Sequence, residues 1–150
     1  MVTTEQVKKL RERTGVSVMA CKRALEEAGG DISSAVKILL GEGAKVADKK
    51  SDRELKAGVI DVYLHSTKRV GVMIEARSET DFVARNPDFG AFIHNVALHI
   101  AASDAENVEA LLTEPYVKDQ SVTVRDLMTS AIQKFGENIE IKRFVRYETS

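Results

Sequence analysis

An α+β fold is predicted for this 150-residue chain by three observations. Short helical patterns fill the first 41 positions. The hydrophobic period then changes from helical to two over residues 59–77. Helical stripes and one further alternating run occupy the rest. The expected organisation is a three-helix module over residues 1–41, a linker over 42–57, and a domain over 58–150. In that last domain a small three-stranded antiparallel sheet packs with helices.

Thr3 or Thr4 can cap the first helix, which carries Val7 and Leu10 on one side and stops near Gly15. Ser17 can cap the second, whose Val18, Cys21, Ala24, Leu25 and Ala28 recur at helical spacing until Gly29-Gly30 ends it. Asp31 caps a third, with Ile32, Ala35, Val36, Leu39 and Leu40 as one apolar stripe. Each is too short to be stable alone, so the three must pack together. Residues 42–57 are charged and poor in large apolar side chains, and are expected to be a solvated linker, wholly irregular or partly helical. In 59–65, Ile60, Val62 and Leu64 alternate with Asp61, Tyr63 and His65; in 70–77, Val70, Val72, Ile74 and Ala76 alternate with Gly71, Met73, Glu75 and Arg77. Joined by Ser66–Arg69, these runs make a β-hairpin. Asn86 and Pro87 have the cap and first-residue signature of a helix carrying Phe89, Ile93, Val96 and Ile100. A shorter helix is expected over 105–112. Thr123 with Asp126 resembles a capping box, opening a helix with Leu127, Ala131 and Phe135 that Gly136 ends. Ile139, Ile141, Val145 and Tyr147 then alternate as a last strand, which is expected to complete a three-stranded sheet because a lone hairpin is marginal in water.

Composition narrows the function. Charged residues are 30% and hydrophobic ones 43%, the balance of a folded domain. The net charge of -1 provides no global field for nucleic acid, so no direct nucleic-acid partner is expected. The single Cys21 excludes an internal disulfide framework and suits a reducing compartment. No apolar run approaches the ~20 residues that span a bilayer, and the N-terminus lacks a signal-peptide pattern, so a cytoplasmic location without membrane contact is expected.

Side chains with chemical potential are few. His94 and His99 are five apart, whereas paired helical metal ligands need i, i+4; packing or surface roles are the ordinary reading of these and of His65. No phosphate-binding loop, dinucleotide fingerprint or nucleophile elbow occurs, so no cofactor, metal or catalytic residue is expected. Lys8, Lys9, Arg11, Arg13, Lys22 and Arg23 make the first two helices basic. They form either a solvated face or a docking surface for an acidic partner. Asp81 and Phe82, taken alone, read as local structure, the carboxylate capping a turn and the ring anchoring it in the core.

The run Thr80-Asp81-Phe82-Val83-Ala84-Arg85-Asn86 follows the hairpin and resembles the signature loop of elongation factor Ts. It lies within a longer family-like stretch from Gly58 to Ala102, which includes Tyr63-Leu64-His65 and Ala97-Leu98-His99-Ile100-Ala101-Ala102. Thr14-Gly15-Val16-Ser17-Val18-Met19-Ala20-Cys21-Lys22-Arg23-Ala24-Leu25 looks like that family's opening motif, as does Gly29–Ala35. The three helices resemble a ubiquitin-associated-like fold, which the family carries at its N-terminus.

The resemblance implies a guanine nucleotide exchange factor that releases GDP from elongation factor Tu without making or breaking a covalent bond, and so not an enzyme. It implies that Thr80, Asp81, Phe82 and Val83 meet the partner. Phe82 would wedge between partner helices and Asp81 would engage groups near the Mg²⁺ site. Arg85 and Asn86 would support the loop. Lys8, Arg11, Val16, Met19, Lys22 and His99 are further candidate contacts. Longer relatives carry a duplicated core where this chain has one unit, so a homodimer pairing two single cores is expected. The hairpin turn also lacks the usual glycine beside Lys68. The alternative is a helical module that binds a peptide or ubiquitin-like partner without exchange activity, in which residues 1–41 suffice and Asp81 is dispensable.

Overall fold

Local capping chemistry starts each N-terminal helix. Helix α1 (Thr4–Thr14) opens on a capping box: the Gln6 amide donates to Thr3 Oγ1 at 3.1 Å and the Thr3 amide to Gln6 Oε1 at 2.8 Å. Gly15, at φ +71°, ends it in the left-handed conformation that glycine tolerates best. Ser17 caps α2 (Val18–Glu27), and Asp31 caps α3 (Ile32–Lys50). The Asp31 carboxylate accepts both the amide and the hydroxyl of Ser34, and this pushes its pKa below the ordinary value of 3.8. Leu10, Val16, Cys21, Ala24, Leu25, Ala35, Val36 and Leu39 form the core between these helices. Burial raises the pKa of the Cys21 thiol.

The computed structural model describes all residues, Met1–Ser150, and contains two compact units. The first comprises residues 1–52 with 129–136, the second 53–128 with 137–150. In the first unit the expected linker is helical as far as Lys50. The reason lies far along the chain. Gly43 is buried, and a Cβ placed there would stand 2.9 Å from Thr129 Cγ2 and 2.8 Å from Gln133 Oε1. Lys50 Nζ donates to the Gly136 carbonyl at 2.6 Å. Packing against 129–136 therefore continues a helix that its own charged composition would leave marginal.

In the second unit, β1 (Ala57–Leu64) and β2 (Val70–Ser78) form the expected hairpin. Its turn places Lys68 at φ +59°, the one non-glycine residue with positive φ. There follow α4 (Asp81–Ala84), α5 (Pro87–Ala101), α6 (Val108–Thr113), a small hairpin of β3 (Pro115–Tyr116) and β4 (Asp119–Thr123), α7 (Val124–Phe135), whose residues from Thr129 onward belong to the first unit, and β5 (Ile139–Glu148). Thr123 and Asp126 exchange the capping-box bonds that open α7. The main sheet is antiparallel in the order β1-β2-β5, so the three-stranded α+β reading holds; the β3–β4 hairpin was not foreseen.

The register decides which face is core. Buried Val72, Ile74 and Ala76 lie opposite Tyr63, Asp61 and Val59. Ile60, Val62 and Leu64 therefore share the other face with Met73. Helix α5 packs on the inner face, burying Phe89, Ile93, Val96, Ala97 and Ile100. In β5 the pairing jumps from Arg143 opposite Glu75 to Ile141 opposite Ala76. This bulge reverses the alternation, putting Ile139 and Ile141 inside but Val145 and Tyr147 outside.

Candidate partner-binding site

Strand β2 ends at Ser78, which is fully buried and donates its hydroxyl to the Thr80 carbonyl at 3.0 Å. The chain then makes one helical turn, α4, where a loop was expected. Thr80 is its cap: extended backbone, with Oγ1 accepting the Val83 amide at 3.5 Å. Asn86 caps the next helix, accepting the Asp88 amide at 2.9 Å, and Pro87 takes its first position. Two caps six residues apart leave room for a single turn and fix its direction.

That turn splits its own motif. Val83 and Ala84 point inward and are buried. Asp81, Phe82 and Arg85 point outward, and Phe82 is 90% exposed. An aromatic ring in water gains nothing from that position, so its whole apolar area is free for another surface. Asp81 and Arg85 each lack a side-chain partner within the chain. With Phe82, Asn86 and Pro87 they line an open depression.

Of the four residues expected to meet a partner, Asp81 and Phe82 present free side chains. Val83 does not, because it is the hydrophobic foot of the turn. Thr80 is at the surface, but its hydroxyl is engaged. Asn86 is engaged as the cap of the next helix. Phe82 is not a core anchor.

The base of the turn is held by Glu137, a residue with no local sequence signal. The Glu137 carboxylate accepts the amides of Glu79 and Thr80 on Oε1 at 3.1 and 3.0 Å, and the Thr80 hydroxyl on Oε2 at 2.6 Å. In return Glu79 Oε2 accepts the Asn138 amide at 2.6 Å, with Arg53 Nη1 3.5 Å away. No local pattern signals a contact between segments 57 to 59 positions apart.

The other candidates divide by burial. Lys8, Arg11, Met19 and Lys22 are exposed; Lys8 and Arg11 are one turn apart on α1, and Met19 and Lys22 on α2. Val16 is buried in the helical core, since the turn after Gly15 folds it inward beneath α2. His99 is buried too. Its Nδ1 accepts the Val117 amide at 3.0 Å, so Nε2 carries the proton and donates to Glu114 Oε1 at 3.0 Å. Ser103 Oγ donates to the same oxygen at 2.6 Å, and the Tyr116 ring lies 5.7 Å away. His99 thus ties the β3–β4 hairpin to α5 and has no surface to offer, because the imidazole is used up on both nitrogens. His94 Nδ1 meets Asp61 Oδ2 at 2.9 Å, and no group of three or more metal-ligating side chains occurs. No helix is long and apolar enough to cross a membrane.

A family model described as Elongation factor TS matches residues 79–150. Elongation factor Ts of Acetivibrio thermocellus is 39% identical over 193 aligned positions, covering 99% of this chain and 90% of the relative. That of Rubrobacter xylanophilus is 39% identical, covering 96% and 97%. That of Clostridium kluyveri is 44% identical over 150 positions, covering 100% of this chain but 49% of the relative. These likenesses place the chain among the translation elongation factors. Within that class, it belongs to the elongation factor Ts family. The 193-position span exceeds the 150 residues here, so the Acetivibrio relative carries sequence inside the match that this chain lacks.

Proposed function

We propose that this chain promotes release of GDP from elongation factor Tu by inserting the Asp81–Phe82 turn beside the partner's Mg²⁺ and phosphate site. The observation that carries this reading is the 90% exposure of Phe82 on a turn fastened at both ends. A pre-ordered aromatic wedge loses little entropy on binding, and its burial is worth several kcal/mol at about 25 cal/mol per Å². Asp81 places an uncommitted carboxylate next to the wedge. It can compete for the polar groups that hold a Mg²⁺ shell, which requires near-octahedral geometry. Exchange then follows from linkage: a factor that weakens GDP binding is weakened equally by GDP. No covalent bond changes. Lys8, Arg11, Met19 and Lys22 form the docking surface of the N-terminal helices, with the charges steering encounter and Met19, 75% exposed, giving apolar contact.

The test is release of fluorescent GDP from elongation factor Tu, with the wild-type chain and with Asp81→Ala/Phe82→Ala. Acceleration by wild type, lost in the double variant while binding is partly kept, is expected. A wild-type chain that leaves the release rate unchanged would sink the proposal.

The reading includes a homodimer. Ile60, Val62, Leu64, Met73, Val145 and Tyr147 lie on the outer sheet face, each between 41% and 76% exposed. Val62, Met73 and Val145 form one cross-strand row, and the Leu64 side chain leans over Gly71 in the next. A continuous apolar face of this kind is a docking surface, and a two-fold pairing with a second copy covers it on both chains at once. Light scattering at micromolar concentration is expected to return a dimer mass, reduced to the monomer by Met73→Asp. A monomeric wild type would refute the pairing.

A further inference from the structure

We propose that Glu137 is a positioning residue for the Asp81–Phe82 turn, acting through Thr80; this rests on the exchange reading above. Thr80 immediately precedes the two exposed side chains, and every polar atom it has is committed. Its amide and hydroxyl both donate to Glu137, at 3.0 and 2.6 Å. Its carbonyl accepts the Ser78 hydroxyl at 3.0 Å and the Ala84 amide at 3.2 Å. Its Oγ1 also accepts the Val83 amide.

The Glu137 bond has a directional consequence. A cap hydroxyl rotates freely unless its proton is claimed. Glu137 Oε2 claims it, which turns the remaining lone pairs of Oγ1 toward the Val83 amide. Glu137 thus sets the cap that starts α4, and with it the direction in which Asp81 and Phe82 leave the surface. The adjoining amides are fixed in the same way: one carboxylate oxygen accepts both Glu79 and Thr80. The Glu79 carboxylate returns a bond to the Asn138 amide. Asn138 is itself buried, and its side chain donates to the Arg53 carbonyl at 3.1 Å. The clamp is therefore reciprocal and anchored at the start of β5. Charge-assisted bonds of this kind are stronger than neutral ones. A functional group held through locked supporting contacts loses performance when the support is removed, even though it is itself intact.

The geometry distinguishes between substitutions. Glu137→Gln keeps the side-chain length and one oxygen able to accept both amides; its NH2 donates to Thr80 Oγ1, whose second lone pair still serves the Val83 amide, so the cap survives with that one bond reversed. Glu137→Asp keeps the charge but shortens the stem by one methylene, and Glu137→Ala removes the clamp. The expected order of maximal GDP release rate, at saturating factor, is wild type, then Glu137→Gln within about threefold, then Glu137→Asp and Glu137→Ala at least about tenfold down. The factor concentration giving half-maximal rate is expected to move far less, because the docking surface is untouched. Amide hydrogen exchange of the free protein supplies the second readout. Thr80 and Val83 amides are expected to lose protection in Glu137→Ala while the β2 amides keep theirs.

A maximal rate in Glu137→Ala within twofold of wild type overturns the proposal, provided wild type accelerates release. If wild type does not, it is the exchange reading that has failed. Loss of protection throughout β2 would mean that Glu137 supports the fold generally. The proposal then stands only if Glu137→Asp, with β2 protected, shows the loss that Glu137→Gln does not. Equal rates in those two variants overturn it.

Discussion

Phe82 and Phe89 are seven residues apart in one short segment, and the structure assigns them opposite consequences. Phe82 is 90% exposed and Phe89 is fully buried on the inner face of the sheet. Replacing Phe89 with alanine removes a ring packed among Ile93, Val96 and the strands, at a cost of about 3–5 kcal/mol. With a urea slope of roughly 2 kcal/mol per M, the unfolding midpoint of the second unit falls by about 2 M. All three tyrosines, Tyr63, Tyr116 and Tyr147, lie in that unit, so tyrosine fluorescence against urea reads its transition. Phe82→Ala removes an exposed ring and changes stability by no more than the roughly 0.5 kcal/mol of an ordinary surface change, leaving the midpoint almost where it was. Its effect is expected on GDP release from elongation factor Tu. A buried aromatic covers about 150–250 Å², which at ~25 cal/mol per Å² sets a ceiling near 4–6 kcal/mol. Truncation of an interface anchor commonly costs about 2–4 kcal/mol. The release rate should therefore fall roughly thirty- to a thousandfold. If Phe82→Ala lowers the urea midpoint as Phe89→Ala does, the ring is packed in solution and cannot be a free wedge. If it leaves the release rate within twofold, the wedge is not used.

Further outcomes are expected elsewhere in the chain. His99→Ala leaves the Val117 amide without an acceptor and opens a void beside Tyr116; the second unit should lose about 2–3 kcal/mol, with the near-ultraviolet Tyr116 signal lost first on heating. Asp31 has its pKa lowered by the Ser34 hydroxyl and amide, so its cap stabilises α3 above the ordinary aspartate value of 3.8 and this contribution is lost as pH falls through the depressed one. Helicity followed by circular dichroism below about pH 4 should therefore decline more steeply in wild type than in Asp31→Asn, whose amide oxygen still accepts but does not titrate. Lys68→Gly relieves a side chain at φ +59° and should stabilise the hairpin by about 0.5–1 kcal/mol in a urea titration; a loss would mean that the lysine side chain contributes more than the backbone strain costs.

Capping is what the chain makes most legible. Thr3, Ser17, Asp31, Asn86 and Thr123 each start a helix where expected, because a cap is a bond between a side chain and an amide two or three residues away. The hairpin, the last strand and the Asp81–Phe82 signature were equally visible, being carried by short runs. Long-range contacts were not. The charged stretch after Gly41 reads as a linker until Thr129 and Gln133 pack on Gly43. Ile60, Val62 and Leu64 read as any strand's apolar row, yet pairing with β2 turns them outward, and the β5 bulge sends Val145 and Tyr147 after them. His99 reads as a packed or partly exposed position and a possible contact, but nothing nearby in sequence announces Glu114 and the Val117 amide as its partners.

The helix starts, the change of period and the family signature are legible along the chain, since each is written within a few residues. Which half of the signature faces water is set by packing. Val83 and Ala84 are drawn inward and the base is clamped by Glu137, so Asp81 and Phe82 are left outside. That outcome depends on burial and on bonds between residues more than fifty positions apart, and such contacts exist only once the chain has folded.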